Sequence, residues 1–346
     1  MTERGEIVVD LRTLKANALK FKRRINGAEL IGVVKADGYG HGAEKIAESV
    51  AAFDSFAVAT AAEGERLRAV TAKPVFLLGY DEPEKAVENS LIVSVWDKTQ
   101  IKELSEIAAA KGRSAQVRIA VDTGMNRIGV KGEREFIGLA EEAENGERID
   151  FCGAYTHFPD GENESDSLAR LEEFLSVTKS RPTIYKSAAA TARATDGRFT
   201  LSGVRLGLGA YGYGAEFVKP CLSLYGKVVR VRRLERGEAV GYNSRYICRK
   251  PTYIATLSLG YADGVSRGYT GGEVIINGKK RKIVGNVCMD CCFAEADEKV
   301  AAGDRAVFIG EENGLKITAE DVAAAENTIC YEILTRLKRV KRRYVY

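Results

Sequence analysis

Lys35 closes the apolar run Ile31-Gly32-Val33-Val34 and opens into ADGYGHGA, where Gly38, Gly40 and Gly42 alternate with Tyr39 and His41. A lysine is rarely buried without a partner or a task. At the tail of a strand that feeds a glycine-rich loop it occupies the place where α/β proteins keep their chemistry. Partial desolvation there lowers the ammonium pKa and leaves a nucleophilic amine able to form a Schiff base near neutral pH. The glycines allow backbone N–H groups to approach a ligand closely. The plainer reading is a surface lysine at a strand end.

The elements that would position such a lysine are written in the hydrophobic pattern. Strand candidates are EIVVDL, ELIGVVK, SFAVAT, PVFLLG, LIVSVW, AQVRIAVD, IDFCGAYTHF, TIYKS and the run near VRLGLGAYG. Between them LRTLKANALKFKRRI, AEKIAESVAAF, KTQIKELSEIAAAKG and LARLEEFLSVTKS carry apolar residues at helical spacing. About eight β–α repeats predict an α/β fold with an N-terminal (β/α)8 barrel over 1–218. An open doubly wound sheet would want a G-x-G-x-x-G turn after the first strand, and none is present. After Pro220 the pattern turns to strands and hairpins, with Asn277-Gly278 as a hairpin signal, so 219–346 is expected to be a mostly-β second domain.

Composition narrows the function classes. The 346 residues hold 52 Lys and Arg against 48 Asp and Glu, a weak excess of +4 that argues for neither nucleic acid nor membrane as a partner. The dense basic run RLKRVKRRYVY (336–346) could be a nucleic-acid tail, but its basic residues alternate with Val340 and tyrosines, so an exposed edge strand is the plainer reading. Seven cysteines at irregular spacing do not form a secreted disulfide framework. No signal-like segment follows MTERGE and no apolar run is long enough to span a bilayer, so a cytoplasmic location is expected. CMDCC (288–292) lacks a second ligand pair for zinc, so no metal site is expected and buried thiols are the simpler reading.

VVKADGYGHG resembles the pyridoxal-phosphate lysine motif of alanine racemases. The resemblance continues, in order, through VDTGMNRIGV (121–130), YTHF (155–158), VRLGLGAYG (204–212), GYADG (260–264), GNVCMD (285–290) and TICYEILTRL (328–337). It implies a homodimer in which each active site combines one chain's barrel with the partner's β domain, and pyridoxal 5′-phosphate as cofactor. Lys35 would hold the cofactor and act as base on one face of the substrate Cα, with Tyr242, in AVGYNSRY, acting on the other. The phosphate shell would be Tyr39, Ser187, Gly207, Leu208 and Tyr331. Arg205 would face the pyridine nitrogen and hydrogen-bond His157, which reaches the tyrosine. Arg127 would hold the substrate carboxylate, with Met289 and Tyr261 forming the pocket and its gate.

The residues carry their own physical sense beside this. Inverting Cα needs a proton donor opposite the base, and a tyrosine must be tuned to serve. Gly207 lets backbone N–H groups reach an anion, and a guanidinium suits a carboxylate. Ser187 reads alternatively as a helix N-cap before AAATARA. Five positions depart from the family pattern: Gly241 and Asn243 flank Tyr242 where serine and glycine are commoner, Ala120 stands where many members have a lysine that steadies the carboxylate arginine, Lys186 replaces an asparagine, and Leu206 a proline. The expected activity is racemisation of alanine, which would supply D-alanine for peptidoglycan. Serine or a broader substrate range is the near alternative, since one methylene or hydroxyl discriminates weakly. A decarboxylase on the same plan would want a different second-domain site, and a non-catalytic cofactor carrier would lack that domain.

Overall fold

Short runs of β-branched and aromatic residues, apolar on both sides, make strands that must be covered on both faces. In the computed structural model, which describes residues 4–346, eight such runs form one parallel sheet. They are β2 (Glu29–Val33), β3 (Ser55–Val58), β4 (Val75–Leu77), β5 (Ile92–Val95), β6 (Ala115–Ala120), β7 (Ile149–Tyr155), β8 (Tyr185–Ser187) and β9 (Gly203–Leu206). Neighbours pair in chain order from β2 to β8, and β9 pairs with β2. The remaining seam is bridged by Ser202 N–H to Lys186 O at 3.0 Å and Arg205 N–H to Ala189 O at 3.1 Å. The sheet thus closes into the (β/α)8 barrel, within a unit made of Thr13–Gly38 and Gly42–Lys219.

The connecting helices start and stop where local chemistry dictates. Lys98–Lys111 begins at Asp97, whose carboxylate accepts the Thr99 N–H at 2.8 Å while Gln100 reaches back to the Asp97 N–H. It ends at Gly112 in the left-handed region, and Ile101, Leu104 and Ala108 face the sheet side. Inside the barrel, alternate strands contribute alternate layers. The Arg118 (β6) guanidinium lies 3.9 Å from the Tyr185 (β8) ring and 5.1 Å from the Phe76 (β4) ring. Ser94 (β5), Tyr155 (β7) and Arg205 (β9) form another set: Tyr155 hydrogen-bonds Ser94, and the Arg205 guanidinium lies 5.4 Å from the Tyr155 ring.

The first strand candidate differs from the expectation of a continuous β–α series. β1 (Gly5–Asp10) lies in the other unit, where it pairs antiparallel with β10 (Leu222–Leu234) and parallel with the C-terminal strand Lys341–Val345. Helical periodicity following EIVVDL gave no hint of a partner more than 200 residues away. That unit combines the N-terminal segment, Tyr39–His41 and Pro220 onward, and its main sheet has nine strands. Lys341–Val345 is at the sheet edge, as the alternation in the basic tail predicts. The Asn277-Gly278 hairpin joins Glu273–Ile276 to Lys279–Val284, both turn residues having positive φ (53° and 68°) as a type I′ turn requires.

Candidate active site

Lys35 directly follows β2 and Val34, and the chain then does something unusual for L-residues. Ala36, Asp37, Gly38 and Tyr39 all have φ between 51° and 60°, a left-handed helical turn in which only one residue is glycine. Each non-glycine residue there costs on the order of 1 kcal/mol. The turn is held by Gly38 N–H to Val34 O (2.7 Å), Ala36 N–H to Glu63 Oε1 (2.7 Å) and Ala43 N–H to Asp37 Oδ1 (3.0 Å). Glu63 also accepts the Ala59 N–H at 2.8 Å and so ties the loop after β3 to the lysine loop. Burial pushes the Lys35 ammonium below its ordinary pKa, the Arg127 charge pushes it further, and Glu63 opposes both.

Arg205 is 4 % exposed. Its guanidinium donates to Ser187 O (3.0 Å), Ser187 Oγ (2.6 Å), Ala188 O (3.2 Å) and Thr156 O. Desolvation lowers its pKa to about 10, so it stays charged at neutral pH. The hydrogen bond to His157 that the resemblance implies is absent among the described residues, because four acceptors on β8 and the β7 loop already surround the guanidinium. The two residues interact through space instead. Burial first, then the charges of Arg205, Arg127 and Lys35, push His157 down to about 3, so its imidazole is neutral at pH 7.

Ser187 ends β8 and is buried; AAATARA forms only the single tight turn Thr191–Arg193, so Ser187 is not the N-cap of a helix. Its hydroxyl accepts from Arg205 and keeps its own proton to donate. After β9, Ala210 N–H bonds Gly207 O (3.0 Å) and Tyr211 N–H bonds Leu208 O (3.0 Å). The N–H groups of Gly207 and Leu208 at the head of these turns are not consumed by them, as at the start of any helical turn. A buried hydroxyl, two leading N–H groups and an amine of lowered pKa match the donor set an aldehyde-bearing phosphate monoester needs.

Arg127 is exposed on the loop after β6, and among the described residues its side chain has no hydrogen bond or ion pair. Ala120 is buried, so it offers that arginine nothing. Lys186 turns away, its ammonium bonded to the carbonyls of Arg181 and Pro182 at 3.0 Å each.

The other unit carries the remaining expected residues. Tyr39 is buried beside the half-exposed Tyr331, ring centroids 5.9 Å apart, and burial raises its phenol pKa. Gly40 passes so close to Leu334 that a Cβ would lie 2.3 Å from its carbonyl oxygen. Tyr242 stands 69 % exposed on a tight turn between Gly241 (φ 71°) and Asn243 (φ 61°), whose backbone is held by Asn286 Nδ2–H to Tyr242 O at 2.9 Å. Tyr261 and Met289, both exposed, lie on loops stitched by Tyr261 N–H to Cys288 O and Ala262 N–H to Met289 O, 3.0 Å each. Asp263 and Asp290 together hold Arg4 and Arg339 beneath these loops.

Arg118 and Glu63 escaped the sequence reading. Arg118 had a signal, an arginine inside the apolar strand AQVRIA; Glu63 is one acid among many on a helix and had none.

The alanine racemase N-terminal domain model matches residues 9–215 and the C-terminal domain model residues 221–344. An alanine racemase of Clostridium perfringens is 36% identical over 364 residues, covering 97% of this chain and 94% of that protein. Among solved structures, alanine racemase from Bacillus anthracis with bound L-Ala-P superposes with a TM-score of 0.92 at 30% identity, over 100% of this chain and 96% of the other. Alanine racemase from Bartonella henselae with covalently bound pyridoxal phosphate gives 0.90 at 30%, over 99% of each chain. A histidine racemase from Leuconostoc mesenteroides gives 0.92 at 27%, over 100% and 99%.

Proposed function

The chain belongs to the alanine racemase family, and on that premise we propose that it interconverts L- and D-alanine using pyridoxal 5′-phosphate held by Lys35. The observation that carries this reading is the Lys35 amine itself, at the C-terminal end of a barrel strand and with a depressed pKa. The cofactor, when bound, supplies an electron sink for negative charge at the substrate Cα.

The chain's own groups do the rest. Lys35, neutral for a larger share of the time than a free lysine, takes or returns the Cα proton on one face. The partner subunit's Tyr242 does the same on the other face, so each turnover removes one proton and delivers one. The phosphate is assigned, as the family resemblance implies, to Ser187, the N–H groups of Gly207 and Leu208, Tyr39 and Tyr331. Arg205 is a fixed cation toward the pyridine nitrogen, and a guanidinium gives up no proton to that nitrogen, which keeps charge short-lived at Cα. His157 is its neutral neighbour. Arg127 takes the substrate carboxylate, and Tyr261 with Met289 bounds the side-chain pocket.

Two copies are required, because Tyr242, Tyr261 and Met289 are to act in the partner's barrel; their exposure on the β unit supports this. Among the described residues no helix is long and apolar enough to cross a membrane. The free cysteines fit a reducing compartment, and we place the enzyme in the cytoplasm, supplying D-alanine to the cell wall.

The test is chiral analysis of L- and D-alanine incubated with the cofactor-loaded protein, with serine and histidine alongside. Equal final amounts of the two alanine enantiomers from either start are expected. Racemisation of serine or histidine but not alanine would replace the substrate, and no racemisation of any of them would overturn the reading.

A further inference from the structure

The loop Asp122–Gly129 contains one acid, Asp122, and one arginine, Arg127. It is closed at its base by Asp122 N–H to Val130 O and Val130 N–H to Ala120 O, both 3.0 Å. Inside, the Asp122 carboxylate, only 3% exposed, accepts the N–H groups of Gly124 and Asn126 at 3.0 Å each. Asn126 adopts a left-handed conformation (φ 54°), which turns the chain at the residue before Arg127. Its side-chain amide is oriented on both ends: Nδ2–H donates to Gly124 O at 3.2 Å, and Oδ1 accepts from the Lys131 ammonium at 2.5 Å. The same ammonium stands 3.8 Å from Asp122 Oδ2.

Lys131 therefore bridges Asp122, at the start of the loop that presents Arg127, and Asn126, at the turn just before that arginine. The electrostatics give that bridge a purpose. Arg127 has no anion of its own among the described residues, and Asp122 is the acid of its own loop. A guanidinium next to a carboxylate without a counter-cation pairs with it. An Arg127 folded back onto Asp122 would be lost to any substrate carboxylate. The Lys131 ammonium fills the Asp122 charge and fixes the Asn126 turn, so the guanidinium is left outward and uncommitted.

We propose that Lys131, through Asp122 and Asn126, is a positioning residue that keeps Arg127 free and aimed for the carboxylate of the amino acid substrate. This rests on the assignment of Arg127 to that carboxylate, and it names what does the steadying where position 120 carries alanine.

The probe is propionate, which has the carboxylate of alanine and no amine to react. Its dissociation constant is read from the absorbance of the cofactor-loaded homodimer, beside KM and kcat for both alanine enantiomers. Lys131→Met is expected to weaken propionate and raise both KM values about tenfold, the loss of part of a charged hydrogen bond, with kcat and melting temperature close to wild type. Lys131→Arg restores binding. Lys131→Met combined with Asp122→Asn also restores most of it, because the amide oxygen still caps the loop and no longer attracts the guanidinium. Wild-type propionate affinity in Lys131→Met, or no recovery in the double variant, overturns the proposal. Arg127→Gln separates the two layers of argument: if it binds propionate as wild type does, the carboxylate assignment itself falls.

Discussion

His157 offers a prediction whose size follows from its surroundings. Its pKa in the folded chain is held at about 3 by burial and by three cations, Arg205, Arg127 and Lys35, against about 6.5 in an unfolded chain. Between those values the unfolded state binds a proton that the folded state refuses, so stability falls as pH drops below about 6.5 and keeps falling toward 3. At pH 5 the gap covers about 1.5 pH units, and at 1.36 kcal/mol per unit the cost is about 2 kcal/mol. His157→Gln removes the titrating group. Urea unfolding of the apoprotein at pH 8 and pH 5 should therefore show wild type losing about 2 kcal/mol more than the variant over that interval. Carboxylates and the one other histidine, His41, contribute alike to both proteins and cancel in the difference. With only two histidines in the chain, the imidazole signals can also be followed directly by NMR. Equal pH dependence of the two proteins, or a His157 signal that titrates between pH 6 and 7, would refute the electrostatic picture of a neutral imidazole among cations.

Two further predictions follow from single contacts. Gly203→Ala would put a Cβ 1.7 Å from the Tyr185 hydroxyl inside the barrel; a loss of about 1–3 kcal/mol in urea unfolding is expected, and an unchanged midpoint would contradict the packing described. Lys186→Ala should leave the dissociation constant of pyridoxal phosphate within about twofold of wild type, because its ammonium is bonded to Arg181 and Pro182; a larger weakening, measured by fluorescence titration, would mean that it serves the phosphate.

Much of this was legible before any coordinates. Most of the barrel strands announced themselves because β2 to β7 are short, largely apolar runs separated by helices of clear period. Lys35 stood out because a charged residue closing such a run is conspicuous; Arg127 and Arg205 were found only through the resemblance of the motifs that carry them. What stayed hidden had physical reasons. β1 resembles a barrel strand locally, and only its pairing with Leu222–Leu234 and Lys341–Val345 assigns it elsewhere; sequence periodicity carries no information about partners so distant. The hydrogen bond expected between Arg205 and His157 lost to the Ser187 hydroxyl and three main-chain carbonyls, and carbonyls are acceptors that every residue owns and no side-chain pattern reveals. Ser187 could be read as a cap because alanine-rich AAATARA favours helix, yet tertiary structure holds it to one tight turn. The Lys131 bridge depends on a left-handed Asn126, a backbone choice that asparagine permits but does not dictate.

The central claim is proton transfer on two faces of Cα by Lys35 and Tyr242. It is tested most directly by following the Cα deuterium content and the chirality of L-alanine and, separately, of D-alanine in D2O, for the cofactor-loaded wild type and for Tyr242→Phe. The account predicts that wild type exchanges and inverts both enantiomers, whereas the variant loses inversion while exchange persists for the enantiomer whose proton faces Lys35. Inversion at the wild-type rate in Tyr242→Phe would contradict it.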